Sequence, residues 1–276
     1  MLSRQRFWLP GLLLGLLLWT PESQATTILK QSLGQLVDEA PLIFVGSAID
    51  QQVELPEAHT SPVTFVTFRV EEVIKGATED SKLTLAFEGG EWNDEVFEVV
   101  GMPSFETGRR YLLFLRSNGA AGGCPTAGWW QGKLDLVPHP LAGNEILVDH
   151  RGQPVEGIAG DSWRKVEVRI DEGGLLQSPV ASGIAVEEED GLTITGLPDA
   201  DANTEAEESL AAVAGARQVL SSLRGLVHQR RQLPTFRSGE TLASVDPETL
   251  GFRSPLPLKP DRPPADVPDR PEEVMR

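Results

Sequence analysis

Hydrophobic and polar positions along this chain alternate in short runs, and their period shifts from about four residues to two near Pro41. From Thr26, "TTILKQSLGQLVDEAPLIFVGSAI" sets Leu29, Leu33, Leu36 and Val37 at spacings of three and four. That is one face of a short amphipathic helix, and Pro41 ends it. "LIFVGSAI" then reads as a strand in which Gly46 marks a bulge or tight bend. "HTSPV" is a turn leading into "TFVTFRVEEVIKG", where Val66, Phe68 and Val70 alternate with Thr67, Arg69 and Glu71. One face of this strand is buried and the other wet. "KLTLAFEGGE" repeats the pattern with Leu83, Leu85 and Phe87 facing in, until Gly89-Gly90 breaks it. "EVFEVVGMPSFETGRRYLLFL" supplies a strand, a Gly-Met-Pro turn, and "RYLLFL", which is apolar on both faces and therefore central.

"WWQGKLDLV" turns Leu134 and Leu136 inward and Lys133 and Asp135 outward, and "EILVDH" and "KVEVRI" continue the alternation. Read as adjacent strand residues, Trp129 and Trp130 face opposite sides, so one indole enters the core and the other meets a second layer or solvent. Short strands at regular spacing predict an all-β domain over residues 26–171, a small closed OB-like barrel led by a short N-terminal helix.

Beyond that domain the composition shifts. Residues 172–207 read as an acidic linker, since 187–208 hold nine acidic residues and neither Lys nor Arg. In 208–233, Leu210, Val213, Ala214, Leu220, Leu223 and Val227 recur at helical spacing. Arg217, Arg224, Arg230 and Arg231 gather toward the end where they complement the helix dipole. One helix is predicted, docking on the barrel, on a partner, or back on the acidic run. Residues 234–276 read as a proline-rich disordered tail.

The N-terminus changes where such a domain would work. Arg4 and Arg6 precede the apolar run Phe7 to Trp19, and Ser23-Gln24-Ala25 offers small residues at the cleavage positions. This is the form of a signal peptide over residues 1–25, cut after Ala25. The run is shorter than the roughly 20 residues that cross a bilayer. The expected mature chain has no membrane span and sits in the periplasm or outside the cell. A net charge of −17 weighs against nucleic acid and anionic membrane surfaces as partners. Export favours disulfides, but Cys124 is the only cysteine and forms none within the chain. It reads as a small buried hydrophobe; an intermolecular disulfide, a metal ligand and a nucleophile are the functional alternatives.

Candidate chemistry is sparse. His59, His139, His150 and His228 show no metal-ligand spacing, and no nucleotide or cofactor motif is present, so no metal and no cofactor is expected. "GDSW" at 160–163 resembles the nucleophile block of some esterases, yet Ser162 falls late in an all-β pattern, where a plain turn is the better reading. "EEED" lacks the spaced oxygen ligands of a calcium loop. A hydrolase would need Ser162 or Cys124 beside His139 or His150. The binding candidates are Glu88, Glu91, Trp92 and Asp94 in "FEGGEWNDEVF", with Trp129 and Trp130. Trp92 either anchors a partner or folds over the end of the barrel.

The succession "APLIFVGSAI", "TFVTFRVEEVIKG", "FEGGE", "VVGMPSFETGRRYLLFL" and "GWWQGKLDL" resembles a domain of exported bacterial proteins. Its order is similar to the OB-type barrel of netrin-like modules and tissue inhibitors of metalloproteinases, over residues 26–150. The resemblance implies a binding role linked to an exported protease, because some such bacterial proteins are encoded near matrixin-like proteases. It does not imply the inhibitors' mechanism. They chelate zinc through an N-terminal cysteine, whereas the mature chain here would begin Thr26-Thr27-Ile28. The expected function is an exported, non-enzymatic module that binds a protein. An assembly protein pairing through helix 208–232 and the hydrolase are the alternatives.

Overall fold

In a computed structural model, the structure describes residues 28–56, 61–79, 81–170, 176–177, 208–233 and 239–247. The expected signal peptide, most of the acidic linker and most of the tail lie outside the described residues.

Helix α1 (Leu33–Glu39) starts where Ser32 and Gln35 cap each other. The Ser32 hydroxyl accepts the Gln35 N–H at 3.2 Å, and Gln35 Oε1 accepts the Ser32 N–H at 2.8 Å. Leu33, Leu36 and Val37 are buried as the spacing requires, but Leu29 precedes the helix and is 76% exposed. Strands β1 (Leu42–Glu54) and β2 (Val63–Lys75) form a long hairpin, followed by β3 (Ala77–Thr78) and β4 (Lys82–Glu88). Next come the small hairpin of β5 (Gly90–Trp92) and β6 (Glu95–Phe97), then β7 (Arg110–Leu115), β8 (Lys133–Pro138) and β9 (Glu145–Val148). The short pairs β10 (Val155–Ala159) with β11 (Ser162–Lys165) and β12 (Arg169–Ile170) with β13 (Leu176–Gln177) follow. Helix α2 (Ala216–Arg230) and β14 (Thr241–Leu242) complete the described elements.

The architecture is mostly β. Six strands make one antiparallel sheet in the order β4-β2-β1-β7-β8-β9, with "RYLLFL" in its middle as its two apolar faces require. The expected closure into a barrel is not seen: among the described residues no pairing joins β4 to β9. Each outer edge is instead occupied locally. Beside β4, the Val245 N–H donates to Thr84 O at 2.9 Å and the Ala86 N–H to Asn118 O at 3.0 Å. Beside β9, Val148 bridges to Pro154. Edges covered this way no longer offer free ladder groups to one another. The β1–β2 register shifts at Val45/Gly46, as the glycine predicts, because a Cβ there would lie 2.5 Å from Arg69 O.

Period-two alternation places one core on each face. Ile43 and Val45 of β1, Leu112 and Phe114 of β7, and Leu134 and Leu136 of β8 pack beneath α1, α2 and the β10–β11 hairpin. On the other face Phe44, Phe68, Leu85, Phe87, Tyr111 and Leu113 gather around Phe105 from the loop before β7. The Phe105 ring meets Phe68 and Tyr111 edge-on, with centroids 5.1 Å apart in each case.

The C-terminal helical segment docks on the sheet of its own chain. It is broken where one helix over 208–233 was predicted: a helical turn at 208–211 gives way before α2 begins at Ala216, capped by Gly215. Leu210 and Val213 are buried with Val137, Ile146 and Ile170, while Ala216, Val219, Leu223 and Val227 join the α1 core. The two apolar sets enter separate clusters, which one straight stripe does not serve. Arg230 fixes the far end, its guanidinium 2.6 Å from Asp38 of α1 and 2.8 Å from Asp161 at the β10–β11 turn. Residues 239–247, assigned to the disordered tail from sequence, are ordered here: β14 runs parallel to β3, and Val245 is buried with Val63, Phe65 and Ala86. The prolines that suggested disorder lie mostly beyond this piece.

Candidate functional site

The stretch "CPTAGWWQGKLDL" does not enter its strand at the tryptophans. Trp129–Gly132 is a 3₁₀ turn, and β8 begins only at Lys133. The alternation predicted for Trp129 and Trp130 is therefore corrected: both indoles are half-buried and neither plugs the core. Gly128 is left-handed at φ 64°, and a Cβ on it would lie 2.5 Å from Gln31 Oε1, so this position requires glycine. Trp129 is also left-handed at φ 60°, which is unusual for a bulky residue. Its carbonyl accepts from Thr126 Oγ1 at 2.8 Å, and the Trp130 N–H donates to Gly101 O at 3.1 Å. Gln131 completes the hold, accepting from the Gln31 N–H at 2.8 Å and donating to Leu29 O at 2.9 Å.

This turn aims Trp130 at His150, just beyond β9. The two rings lie 3.7 Å apart between centroids and 33° from parallel. Partial burial pushes the His150 imidazole below its ordinary pKa, although the residue as a whole is exposed. Asp149 beside it is 7% exposed and fully engaged. One oxygen accepts the Arg151 and Gln153 N–H groups at 2.8 and 2.9 Å, and the other accepts Lys165 Nζ at 2.6 Å. Burial alone would raise the Asp149 pKa, but these donors outweigh it and hold the carboxyl below the usual range. Asp149 thereby sets the loop that presents His150 and Arg151.

The stacked pair forms the wall between two clefts. The larger, about 520 Å³, also presents Lys30, Arg151, Lys165 and Trp163. The smaller, about 190 Å³, lies toward Met102 and Arg109. Lys133 borders both, and its ammonium sits 4.8 Å from the Tyr111 ring centroid. Four cations thus converge on the larger cleft in a chain of net charge −17. Lys165 is paired with Asp149 and Lys133 with Asp135, whereas Lys30 and Arg151 have no ion pair among the described residues.

Comparison with protein-family models, curated proteins and solved structures finds no match.

The remaining candidates lie elsewhere. Glu88 ends β4, and its Oε1 accepts the Gly123 N–H at 2.8 Å, which anchors the loop ahead of Cys124. Glu91 and Trp92 are on β5 and Asp94 is in the β5–β6 turn, where Asn93 and Asp94 have φ 53° and 66°. Both signs are those of a tight hairpin turn. Trp92 is half-buried, and Glu91 and Asp94 are exposed. Of the six candidates, only Trp130 lines either cleft.

Ser162 and His150, one of the pairs a hydrolase would need, both line the larger cleft, but no hydrogen bond joins Ser162 or Cys124 to His139 or His150 among the described residues. Cys124 is 1% exposed and its Sγ lies 3.0 Å from Thr126 Oγ1. Burial pushes that thiol up, away from nucleophilic character. The His139 ring bonds to Leu210 O and to the Leu141 and Ala142 N–H groups. In "GDSW", Gly160 and Asp161 make the β10–β11 turn, with Asp161 bonded to Arg230, and Ser162 and Trp163 begin β11. No group of three metal-ligating side chains occurs among the described residues. Sequence reasoning missed Lys30, Arg151, Lys165 and Trp163, and weighed His150 only as a metal ligand or a base. For Lys165 and Trp163 the available signal was the basic-aromatic piece "WRK" in an acidic chain; Lys30 and Arg151 had none.

Proposed function

We propose that this chain is an exported, non-catalytic binding module that recognises its partner through the Trp130–His150 wall and the clefts beside it. The observation that carries the reading is that stack. A large aromatic surface is held half-open by a strained turn, between two concave spaces, on a rigid sheet. Aromatic side chains with few hydrogen-bonding needs and a polar surround are the usual composition of recognition anchors. Strained backbone beside such a residue is the kind of feature that binding sites retain.

Export rests on the N-terminal pattern. Kinship with netrin-like modules rests on the helix-led β1, on β2 ending at Lys75 before Gly76, and on the central "RYLLFL" strand; an exported protease is the partner that kinship suggests. The assembly reading is less favoured, because the apolar stripe of α2 is spent on the sheet of the same chain.

The test is affinity capture from the exported fraction with the mature chain, Trp130→Ala and Trp92→Ala, each shown to be folded by circular dichroism. The expected result is a specific partner lost with Trp130→Ala and kept with Trp92→Ala. A partner kept by both variants would remove the site, and no specific partner for any of the three would remove the function.

A further inference from the structure

Resting on that reading, we infer that the larger cleft takes a small organic acid: one carboxylate carried on a ring, the carboxylate held by Lys30 and Arg151 and the ring lying against Trp130. Three features of the cleft lead there. Its charge is cationic where the chain as a whole is strongly anionic, with Asp149 as the acidic lining residue and already bonded to Lys165. Lys30 and Arg151 keep their charges free of ion pairs among the described residues. A forked guanidinium beside an ammonium suits a carboxylate.

The wall is also aromatic, from Trp130 and Trp163, which gives a flat ring apolar area to cover. Finally, two lining residues, Trp163 and Gln31, each carry a buried polar atom, Nε1 and Oε1, without a hydrogen-bond partner. Native proteins rarely leave such atoms unmet, and a bound ligand or ordered water is the ordinary relief.

Size follows from electrostatics. Attraction in the cleft acts over about one Debye length, roughly 8 Å at physiological ionic strength. A small anion inside it feels the four cations first. A polyanion would extend beyond these cations and meet the repulsion of a chain whose net charge is −17. The volume of about 520 Å³ suits one or two rings.

The experiment is titration calorimetry of the full chain with four probes: glucuronate, 4-hydroxybenzoate, glucose and inorganic phosphate. Binding of either acid, at least about tenfold tighter than glucose and phosphate, is the expected result, and which acid binds separates a sugar acid from an aryl acid. Arg151→Gln should weaken that acid by about tenfold or more, the range for a charge-assisted hydrogen bond. Glu95→Gln, exposed on β6 and lining neither cleft, should leave it unchanged.

No heat with either acid, phosphate binding as tightly as the acids, or an Arg151→Gln variant that binds equally well would each overturn the assignment. If Trp130→Ala still abolished partner capture in those cases, the binding module would stand and only its ligand class would fall. Loss of acid binding in Trp130→Ala with unchanged partner capture would separate the two in the other direction, keeping the acid site and removing the protein-recognition reading.

Discussion

Truncating Leu223 measures whether α2 belongs to the core. Its side chain is fully buried among Leu36, Val45, Phe114 and other residues under the helices. Leu223→Ala removes three carbon groups, worth roughly 2.5 kcal/mol of transfer free energy at about 0.8 kcal/mol each. The cavity left between a helix and a stiff sheet adds to this, so the expected loss is about 3–5 kcal/mol. With a urea m-value near 2 kcal/mol/M, the midpoint should fall by about 1.5–2.5 M at constant m. Ser221→Ala on the exposed side of the same helix is the control and should change stability by less than about 0.5 kcal/mol. Unfolding followed by far-UV circular dichroism and by tryptophan fluorescence should coincide. The reasoning is refuted if Leu223→Ala shifts the midpoint no more than Ser221→Ala, or if helix signal is lost in a separate, earlier transition. A wild-type midpoint that climbs with protein concentration would put the stripe between chains instead.

Arg230→Gln should cost about 3–5 kcal/mol, because it removes the two-pronged guanidinium contact from the nearly buried Asp38 carboxylate, whereas Asp161→Asn, on a 54% exposed partner, should cost under about 1 kcal/mol; chemical denaturation compares them. Stability should fall on acidification in two steps. The lowered pKa of His150 means the unfolded chain protonates first below about pH 6.5, and the lowered pKa of Asp149 removes its contribution as pH drops below its ordinary value of 3.8. His150→Gln should flatten the slope between about pH 7 and 5 and Asp149→Asn the slope below about pH 4, as read from melting temperature; unchanged slopes would disprove these assignments. Cys124 should resist iodoacetamide in the native protein at pH 8 and react once unfolded, since burial raises its pKa; rapid native labelling counted by mass spectrometry would show the thiol to be open.

Local pattern and long-range placement were not equally legible in the sequence. Alternation in "TFVTFRV", "KLTLAFE" and "RYLLFL" found the central strands, and the glycine in "LIFVGSAI" found the β1 irregularity, because these depend on residues two apart or on one backbone clash. Closure into a barrel depends on what meets the outermost strands. The groups that meet them, Asn118, Pro154 and Val245, carry no local sign of that role. The break before α2 had a mark in Gly215, but the helical period continued through it and concealed the change of partner from one apolar cluster to another.

The site was harder to read because its residues are brought together across the chain. "WWQG" suggested an alternating strand, and only the contacts of Gln131 with Leu29 and Gln31, a hundred residues away, show that it is a turn. The same clamp brings Lys30 to the cleft, while Asp149 orders the loop that carries Arg151 and pairs with Lys165 from β11. A single acidic side chain thus restrains one cation and positions another. Summed over the whole chain, these cations disappear into an excess of acid, and the net charge argues against anionic partners. Placed around one concave wall, they make the local preference opposite to that of the whole-chain charge. That reversal explains how a chain unsuited to polyanions can still select a small acid.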